Sequence, residues 1–433
     1  KAHNLEVGGS NPSPATNFMN VVNLSNKSKT FLDKLILFLY CSYPIALISG
    51  NLLTNSFVIL IGALYFIFYF KVNFSENKIF VLLVIFFISL IINLFFTENL
   101  NLSYPRVLKF VFIIFFILSF NHFINKDTSF DNKIFKTWMY IIIIFSFDIL
   151  VEFIFGKNLL GISSYIPGRL AGLFGEELVG GYFFYGLVFL VLSYCIKNFK
   201  INNFYFVGFL SLIVFISLII GERANFIRVS IMAFFFFFLI IDIKIVHKLL
   251  IGFVITILLF SFINTSKYYK LRFFTQVKYV FQENGLDKYL KDSEYGAHYY
   301  TAYEIYKNNK YFGVGLKNFR EESKKSIYFN KEYAHTFQRS KTHPHQVHFE
   351  VLSETGLFGY SVFILFFIFS IYFSLKNYLK TKNLYQFSGM LFVLTSLIPY
   401  LPSGSFYSSF SSSIFWLNYA IMVSNFKNLD NKS

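Results

Sequence analysis

The chain of 433 residues is 55% hydrophobic and only 14% charged, with a mean hydropathy of +0.54. Soluble domains carry about 25% charged residues, so this composition excludes an ordinary soluble enzyme and indicates a membrane protein. The net charge of +16 does not indicate nucleic-acid binding, because lysine placement in a membrane protein reports its topology. Cys41 and Cys195 both lie in apolar runs and predict neither a disulfide framework nor a thiolate metal site.

Residues 1–30 are predicted to form a disordered cytoplasmic N-terminus. The first eighteen residues are polar and lack the apolar core of a signal peptide. The string LEVGGSNPSPAT resembles a translated tRNA gene, so our hypothesis is that residues 1–18 are not native and that the natural chain starts at Met19.

Apolar stretches of roughly 17–25 residues predict transmembrane helices. About twelve such stretches predict an all-α polytopic membrane protein, with one large periplasmic loop that contains short helices. The predicted spans are 31–49, 52–70, 78–96, 106–124, 134–155, 179–196, 204–221, 224–241, 248–264, 356–375, 386–401 and 405–426. The predicted parts after the N-terminus are nine spans in 31–264, the periplasmic loop 265–342, a histidine segment with three spans in 343–426, and a cytoplasmic tail 427–433.

Lysines recur in alternate loops, which the positive-inside rule assigns to the cytoplasm together with both termini. The short opposite loops NLLTNS and PYLPSGS carry no charge. The outer side then receives the loop 156–178, the turn at residues 222–223, the segment 265–342 and a histidine cluster. These parts are distant in the sequence and are predicted to share one face.

The predicted outer loop 265–342 holds 15 Lys and Arg against 8 Asp and Glu, and 12 of the 30 tyrosines. Tyr299, Tyr303 and Tyr306 follow a helical spacing of i, i+4, i+7 and share one face of an amphipathic helix. Tyrosines among basic residues suit contacts to a phosphorylated glycan. The alternative is that they pack the loop onto the membrane interface, where tyrosine is enriched.

Three histidines, His343, His345 and His348, lie within six residues just before an apolar run. Burying titratable side chains at a membrane boundary costs free energy, so a cluster of them there indicates a function. One alternative is a zinc site, but the spacing is not a known zinc pattern and no cysteine completes it.

Arg169 and Arg223 lie in the predicted outer loops. Arginine is permanently charged and binds phosphate oxygens bidentately, so both are candidates for holding a diphosphate. The alternative for Arg223 is pairing with Glu222 or Glu152. Arg228, one turn further, is predicted to be structural.

Asp148 and Glu152 lie four residues apart on one face of the fifth predicted span. Carboxylates inside a membrane are candidates for function. We predict that they are structural partners of an arginine, and so support the site indirectly.

Several motifs resemble the superfamily of O-antigen ligases and polymerases. His345 and Gln346 are followed by nine residues, Gly356, two residues and Gly359, which matches the ligase pattern. The strings RLAGLFGEELVGGYF, GERANFI and NKYFGVGLKNF resemble three other family segments. The resemblance covers roughly residues 165–375. It departs from the family at Ile227, where leucine is usual, and at residues 176–178.

The resemblance implies a membrane glycosyltransferase of the bacterial inner membrane whose active site faces the periplasm. Its partners would be an undecaprenyl-diphosphate-linked glycan, lipid A-core or another acceptor, and membrane lipids, with no nucleic acid. The reaction would be inverting and use neither metal nor cofactor. His345 would be the base, and Arg169 and Arg223 would hold the diphosphate. Gln346, Gly356 and Gly359 would support the site, His348 would orient it or contact the acceptor, and His343 would belong to the loop.

Three alternatives remain open at the level of the sequence. An O-antigen polymerase or a protein O-oligosaccharyltransferase would belong to the same superfamily. A polysaccharide exporter or flippase could have a similar number of spans, although transporters place their sites near the membrane midplane. A passive assembly scaffold would make the histidine replaceable.

Overall fold

The computed structural model describes residues 26–71, 78–127, 129–275, 278 and 285–426. Within these ranges the chain is helical and contains no β-strand. The predictions for residues 1–25, including a start at Met19, and for the tail 427–433 concern residues outside the described part. The predicted disorder is wrong for residues 26–30, which begin the helix Asn26–Cys41.

The described ranges contain seventeen α-helices. In chain order they are α1 Asn26–Cys41, α2 Tyr43–Ile48, α3 Asn51–Phe68, α4 Lys78–Leu94, α5 Leu100–Lys126, α6 Phe130–Phe155, α7 Gly180–Asn198, α8 Asn203–Ile220, α9 Arg223–Ile240, α10 Ile245–Thr265, α11 Lys267–Tyr269, α12 Gly285–Asp292, α13 Glu294–Asn308, α14 Phe319–Glu322, α15 Val347–Thr381, α16 Leu384–Ser396 and α17 Phe410–Val423.

Eight of the described helices are long and apolar enough to cross a membrane: α3, α5, α6, α7, α8, α9, α10 and α15. This confirms the prediction of an all-α polytopic membrane protein. The shorter apolar helices α4, α16 and α17, together with the pair α1–α2, coincide with the four remaining predicted spans. The total of twelve crossings stays a prediction, because length and composition qualify only eight.

Two of the predicted spans have different boundaries for local backbone reasons. The predicted span 31–49 is interrupted after Cys41, where α2 starts with Pro44 in its first turn. Proline lacks the N–H that a continuous helix would need, so it is placed where a new helix begins. The predicted span 356–375 is longer in the structure, since α15 already starts at Val347.

The longest helix, α15, contains a kink at Gly356, where φ is +64° and ψ is −168°. This backbone conformation is open to glycine and costly for a residue with a side chain. The backbone of residues 310–315 restores hydrogen bonds that the kink interrupts, since Leu357 N–H donates to Lys310 O at 2.9 Å. The kink separates the long apolar part of α15 from a short first section beside the histidine cluster.

Aromatic side chains dominate the core of the helical bundle. Phe86 of α4 stacks on Phe366 of α15 at 5.0 Å, and Phe110 of α5 packs edge-on against Trp416 of α17 at 5.2 Å. Aromatic pairs of this kind add about 1 kcal/mol each beyond the burial of their area. They hold α15, and with it the histidine segment, against the rest of the bundle.

Helix α10 lies at the edge of the bundle, with no residue of its most apolar window buried. Phe262 near its C-terminal end contacts Phe153 of α6 and Phe215 of α8, at 6.0 and 5.1 Å between ring centroids. The chain then turns through α11 into a π-helical segment, Lys270–Thr275. This route returns the segment to the bundle end that carries the α8–α9 turn.

Candidate functional site

His345 lies in the loop before α15 and has a left-handed backbone conformation, with φ at +56°. Non-glycine residues in this region carry strain and are frequent at functional sites. Two contacts hold the strained segment: Ser403 N–H donates to His345 O at 2.8 Å, and the buried Gln346 side chain caps α15 by accepting from Phe349 N–H at 3.0 Å. One local contact and one long-range contact therefore fix where the His345 ring leaves the backbone.

Three aromatic rings surround the His345 imidazole. The ring of His343 is nearest, with centroids 4.1 Å apart, and the ring of His298 stacks at 5.3 Å. Tyr295 approaches edge-on at 5.9 Å. Tyr295 and His298 both come from α13, whose first turn Ser293 caps by accepting from Gly296 N–H at 3.1 Å.

Burial keeps the imidazoles of this cluster neutral. Burial, with smaller effects of His343 and His298, lowers the pKa of His345 to about 3. Burial and the nearby charge of Lys317 lower the pKa of His343 to about 3 as well. At neutral pH the His345 ring is therefore unprotonated and has a nitrogen lone pair for accepting a proton. An anion bound nearby would raise this pKa by stabilising the imidazolium.

Arg169 and Arg223 lie in a second cluster at the same end of the bundle. Arg169 forms an ion pair with Glu222 at 3.5 Å and donates to Leu178 O at 2.9 Å. Glu222 is the N-cap residue of α9, and Arg223 is the first residue of that helix. Burial raises the pKa of Glu222, although Arg169 opposes this rise.

Tyr295 connects the histidines with the arginines. Burial raises the pKa of its phenol, and the charges of Arg223 and Arg169 pull that pKa back down, so the hydroxyl lies within electrostatic reach of both guanidinium groups. The same ring packs on His345. One side chain thus contacts the histidine cluster and lies within electrostatic reach of the arginine cluster.

Glu152 shapes the loop that carries Arg169. Its carboxylate accepts backbone N–H groups of Gly172 at 2.7 Å, of Ser164 at 3.3 Å and of Ala171 at 3.4 Å. The predicted arginine partner is replaced by these backbone donors in the described part of the chain. Asp148 acts similarly by accepting from Leu159 N–H at 2.7 Å.

His348 and Arg228 are occupied by structural bonds. The His348 ring nitrogens lie 3.1 Å from the Tyr360 hydroxyl and 2.7 Å from Leu397 O. His348 was predicted to orient the site or contact the acceptor, but these bonds hold its ring elsewhere. The ring nearest to His345 is that of His343, which was predicted to belong only to the loop. The buried Arg228 side chain donates to four oxygen atoms of Thr395, Asn225, Leu401 and Pro402, in agreement with its predicted structural role.

The three tyrosines predicted to contact a glycan do not form one exposed platform. Tyr299 is buried and stacks on Phe349 at 4.9 Å. Tyr303 is 44% exposed and holds Lys307 over its ring at 4.8 Å, while Tyr306 lies beside it at 6.0 Å. The face of α13 that meets His345 is instead the one with Tyr295 and His298.

The structure explains why the two glycines of the ligase pattern, Gly356 and Gly359, have no side chain. Gly356 forms the kink of α15, and a side chain there would collide with the backbone of residues 311–312. A side chain on Gly359 would collide with Thr355. Gly356 thus keeps α15 in close contact with the preceding loop, and Gly359 leaves room for Thr355 at the kink.

Sequence reasoning missed Tyr295, His298 and Arg272. The spacing of Tyr295 and His298, at i and i+3, was available as a signal within the predicted helix. Arg272 lies in a stretch of basic residues and aromatics without a motif, so no local signal marked it. No group of three or more His, Cys, Asp and Glu in the described ranges is arranged to hold a metal ion.

The fold and the site define a class: a multi-pass helical membrane protein with a buried imidazole cluster beside a cluster of arginines. Residues 206–364 match the protein family described as O-antigen ligase. This match confirms the resemblance predicted from the motifs, and it includes Arg223, α13 and the segment from His345 to Gly359. Arg169 precedes the matched range. No curated protein matches the chain.

Proposed function

We propose that the protein transfers a glycan from undecaprenyl diphosphate to an acceptor such as lipid A-core at this bundle end. The end faces the periplasm of a bacterial inner membrane in this proposal, since the lysine-rich loops belong to the opposite end. The complete His-Gln-x9-Gly-x2-Gly pattern favours the ligase reaction within the superfamily.

The proposal rests on Tyr295, whose ring packs on the His345 imidazole and whose phenol lies within electrostatic reach of Arg169 and Arg223. A glycosyl transfer from a diphosphate needs a proton acceptor on one side of the reacting carbon and cations on the other. His345 and the pair Arg169 and Arg223 supply both. The proposed reaction needs both clusters at once, which accounts for their position at the same end of the bundle.

In the proposed step, His345 accepts the proton of an acceptor hydroxyl. The acceptor oxygen forms a bond to the anomeric carbon, and the bond from that carbon to the diphosphate oxygen breaks. The electron pair of the broken bond stays on the diphosphate, which gains one negative charge. Arg169 and Arg223 stabilise this charge with bidentate hydrogen bonds. One displacement inverts the anomeric configuration, and no metal or cofactor takes part.

Complementation tests the proposal. Wild type, His345→Ala and the matched control His247→Ala are expressed in ligase-null and polymerase-null strains, and the glycan on the acceptor is measured. His247 is an exposed histidine on α10, away from the site. We expect transfer in the ligase-null strain for wild type and His247→Ala. For His345→Ala we expect a loss of at least about a hundredfold, as removal of a general base predicts.

Membrane levels of the three proteins should be equal. Full transfer by His345→Ala at equal membrane level would reject the base. Rescue of only the polymerase-null strain would reject the ligase reaction and keep the superfamily. Loss of transfer with a chelator, restored by zinc, would reject the metal-independent step.

A further inference from the structure

The segment after α10 is fixed onto the turn between α8 and α9. Tyr269 donates its hydroxyl hydrogen to Ile219 O at 2.8 Å, and Arg272 donates from Nε to Gly221 O at 3.2 Å. Gly221 is the C-cap of α8, two residues before Arg223, and it adopts a left-handed conformation with φ at +81°. The Arg272 side chain is therefore held at the start of α9 by its hydrogen bond to the Gly221 carbonyl.

The same arginine also reaches the loop that carries Arg169. A methyl group placed on Gly168 would lie 3.4 Å from Arg272 Cδ and 3.0 Å from Tyr268 Cβ. Gly168 itself packs against Gly221 so closely that a side chain on Gly221 would collide with the Gly168 carbonyl. Three segments that are distant in the sequence thus meet around the Arg272 side chain.

Arg272 belongs to the π-helical segment Lys270–Thr275. Single π-helical turns are rare in proteins overall, but those that occur are often found at functional sites. They redirect side chains that a regular helix would place elsewhere. Here the turn follows directly on the three-residue helix α11. It allows Tyr269 and Arg272 to point at the same α8–α9 turn.

The cluster has more positive than negative charge. Arg169 and Arg223 lie within electrostatic reach of Arg272, because burial and then their charges lower the pKa of Arg272 to about 10. Arg272 still carries its proton at neutral pH. The carboxylate that faces these groups in the described ranges is Glu222, which already pairs with Arg169.

Like charges collected at a partly buried site destabilise it unless an anion binds there. A diphosphate that links a lipid to a glycan carries two negative charges, and a third develops when the bond to the glycan breaks. Three guanidinium groups together with the Glu222 carboxylate carry a net charge of +2, which matches the two negative charges of the bound donor.

We propose that Arg272 is a third guanidinium of the donor site, and that it binds the diphosphate together with Arg169 and Arg223. This inference rests on the proposed function, since it assigns a further residue to the same site. It extends that function to a part of the chain without any recognised motif.

The test measures binding of inorganic pyrophosphate to the purified full chain in detergent. The variants are Arg272→Gln and Arg272→Lys, with Arg320→Gln as a matched control. Arg320 is an exposed arginine of the same outer segment, on α14. We expect Arg272→Gln to weaken pyrophosphate binding about tenfold to a hundredfold, as the loss of a charged hydrogen bond predicts. Arg272→Lys should bind with intermediate affinity, and Arg320→Gln should bind like wild type.

Two further readouts separate binding from folding. Arg272→Gln should elute from a sizing column as wild type does, and the dependence of its pyrophosphate affinity on salt should be shallower, since one cation fewer takes part. A lost affinity with unchanged salt dependence would indicate a folding defect and overturn the inference.

The inference and the proposed function can fail separately. Wild-type affinity in Arg272→Gln, combined with weak binding by Arg169→Gln and Arg223→Gln, would overturn the role of Arg272 and leave the donor site intact. Absence of pyrophosphate binding by wild type would overturn the cation site itself. His345→Ala should keep pyrophosphate binding, so its transfer activity tests the base independently.

Discussion

Tyr295 packs edge-on against His345, with ring centroids 5.9 Å apart and ring planes at 73°. The charges of Arg223 and Arg169 lower the pKa of its half-buried phenol, which burial raises. The phenol thus lies close to the imidazole that would accept a proton and within electrostatic reach of the guanidinium groups that would hold a diphosphate. Changes of this one ring should affect transfer without removing either functional group.

We expect Tyr295→Ala to lower glycan transfer about tenfold, because an aromatic contact of about 1 kcal/mol is lost and the His345 ring becomes less confined. Tyr295→Phe keeps the ring and should retain most of the transfer. The measurement is the rate of transfer at equal membrane level. The matched control is Tyr372→Ala, at an exposed position on α15. Equal transfer by the alanine and phenylalanine variants of Tyr295 would contradict this prediction.

The stability of the protein should depend on the neutral state of His343. Its pKa is lowered from about 6.5 to about 3 by burial and by Lys317, so the unfolded chain binds more protons than the folded one between these values. This histidine's contribution is present above pH 6.5 and is lost as the pH falls towards 3. It amounts to roughly 3 kcal/mol between pH 7 and pH 4.

His343→Gln should therefore lose less thermal stability than wild type when the pH is lowered from 7 to 4. The measurement is the melting temperature of the detergent-solubilised protein at a series of pH values. His247→Gln, at an exposed position, should keep the wild-type slope. An identical slope for wild type and His343→Gln would show that His343 is not buried in its neutral form.

Gly356→Ala should destabilise the fold by about 2 kcal/mol or more, because the residue has φ at +64° and its new methyl group would collide with residues 311–312. The matched control is Gly252→Ala on α10, where a methyl group meets no atom within 4 Å. The measurement is the melting temperature in detergent. A larger loss for Gly252→Ala than for Gly356→Ala would be evidence against the kink.

A buried ion pair anchors the loop that holds His345. Lys317 lies 3.7 Å from the Glu350 carboxylate, and that carboxylate also accepts from Phe406 N–H at 2.7 Å. Ser405 accepts from Lys317 at 2.8 Å and donates to Glu350. Ser403 in the same loop then fixes the His345 carbonyl. Glu350→Ala should destabilise the protein by about 3–5 kcal/mol, because Lys317 would remain buried without its partner.

The double variant Lys317→Met with Glu350→Leu should recover most of that loss, since it removes both charges and keeps apolar volume. Melting temperature and membrane yield of the single and double variants measure this recovery. If the double variant is as unstable as Glu350→Ala, the loss comes from packing and not from an unpaired charge.

The helices could be predicted from the sequence because apolar runs long enough to cross a membrane must satisfy their backbone groups internally. Each predicted span has a helical counterpart in the structure. The ends were less predictable, since they depend on local breaks such as the turn of α2 at Pro44 and the kink at Gly356. The kink is stabilised by residues 310–315, a contact that α15 alone does not encode.

The candidate site was predictable where its residues belong to short motifs, as His345 and Arg223 do. The spacing of Tyr295 and His298 gave a helical signal but not their neighbours, and Arg272 gave no signal, because these three residues meet the others only through the docking of the outer segment. The assignments of His343 and His348 show the same limit. Helical spacing puts His348 one turn from His345, but the strained backbone of His345 turns its ring towards His343.

The sequence by itself determined that this chain is a bundle of membrane helices with permanent charges and titratable rings at their ends, because hydropathy and side-chain chemistry are local properties. Only the tertiary structure decided that burial keeps the imidazoles neutral and that Arg272 packs between the loop before Arg169 and the turn before Arg223. Burial and the sum of nearby charges arise from contacts between segments that are distant in the sequence, such as Gly168 with Arg272 and His298 with His345. No local pattern contains that information.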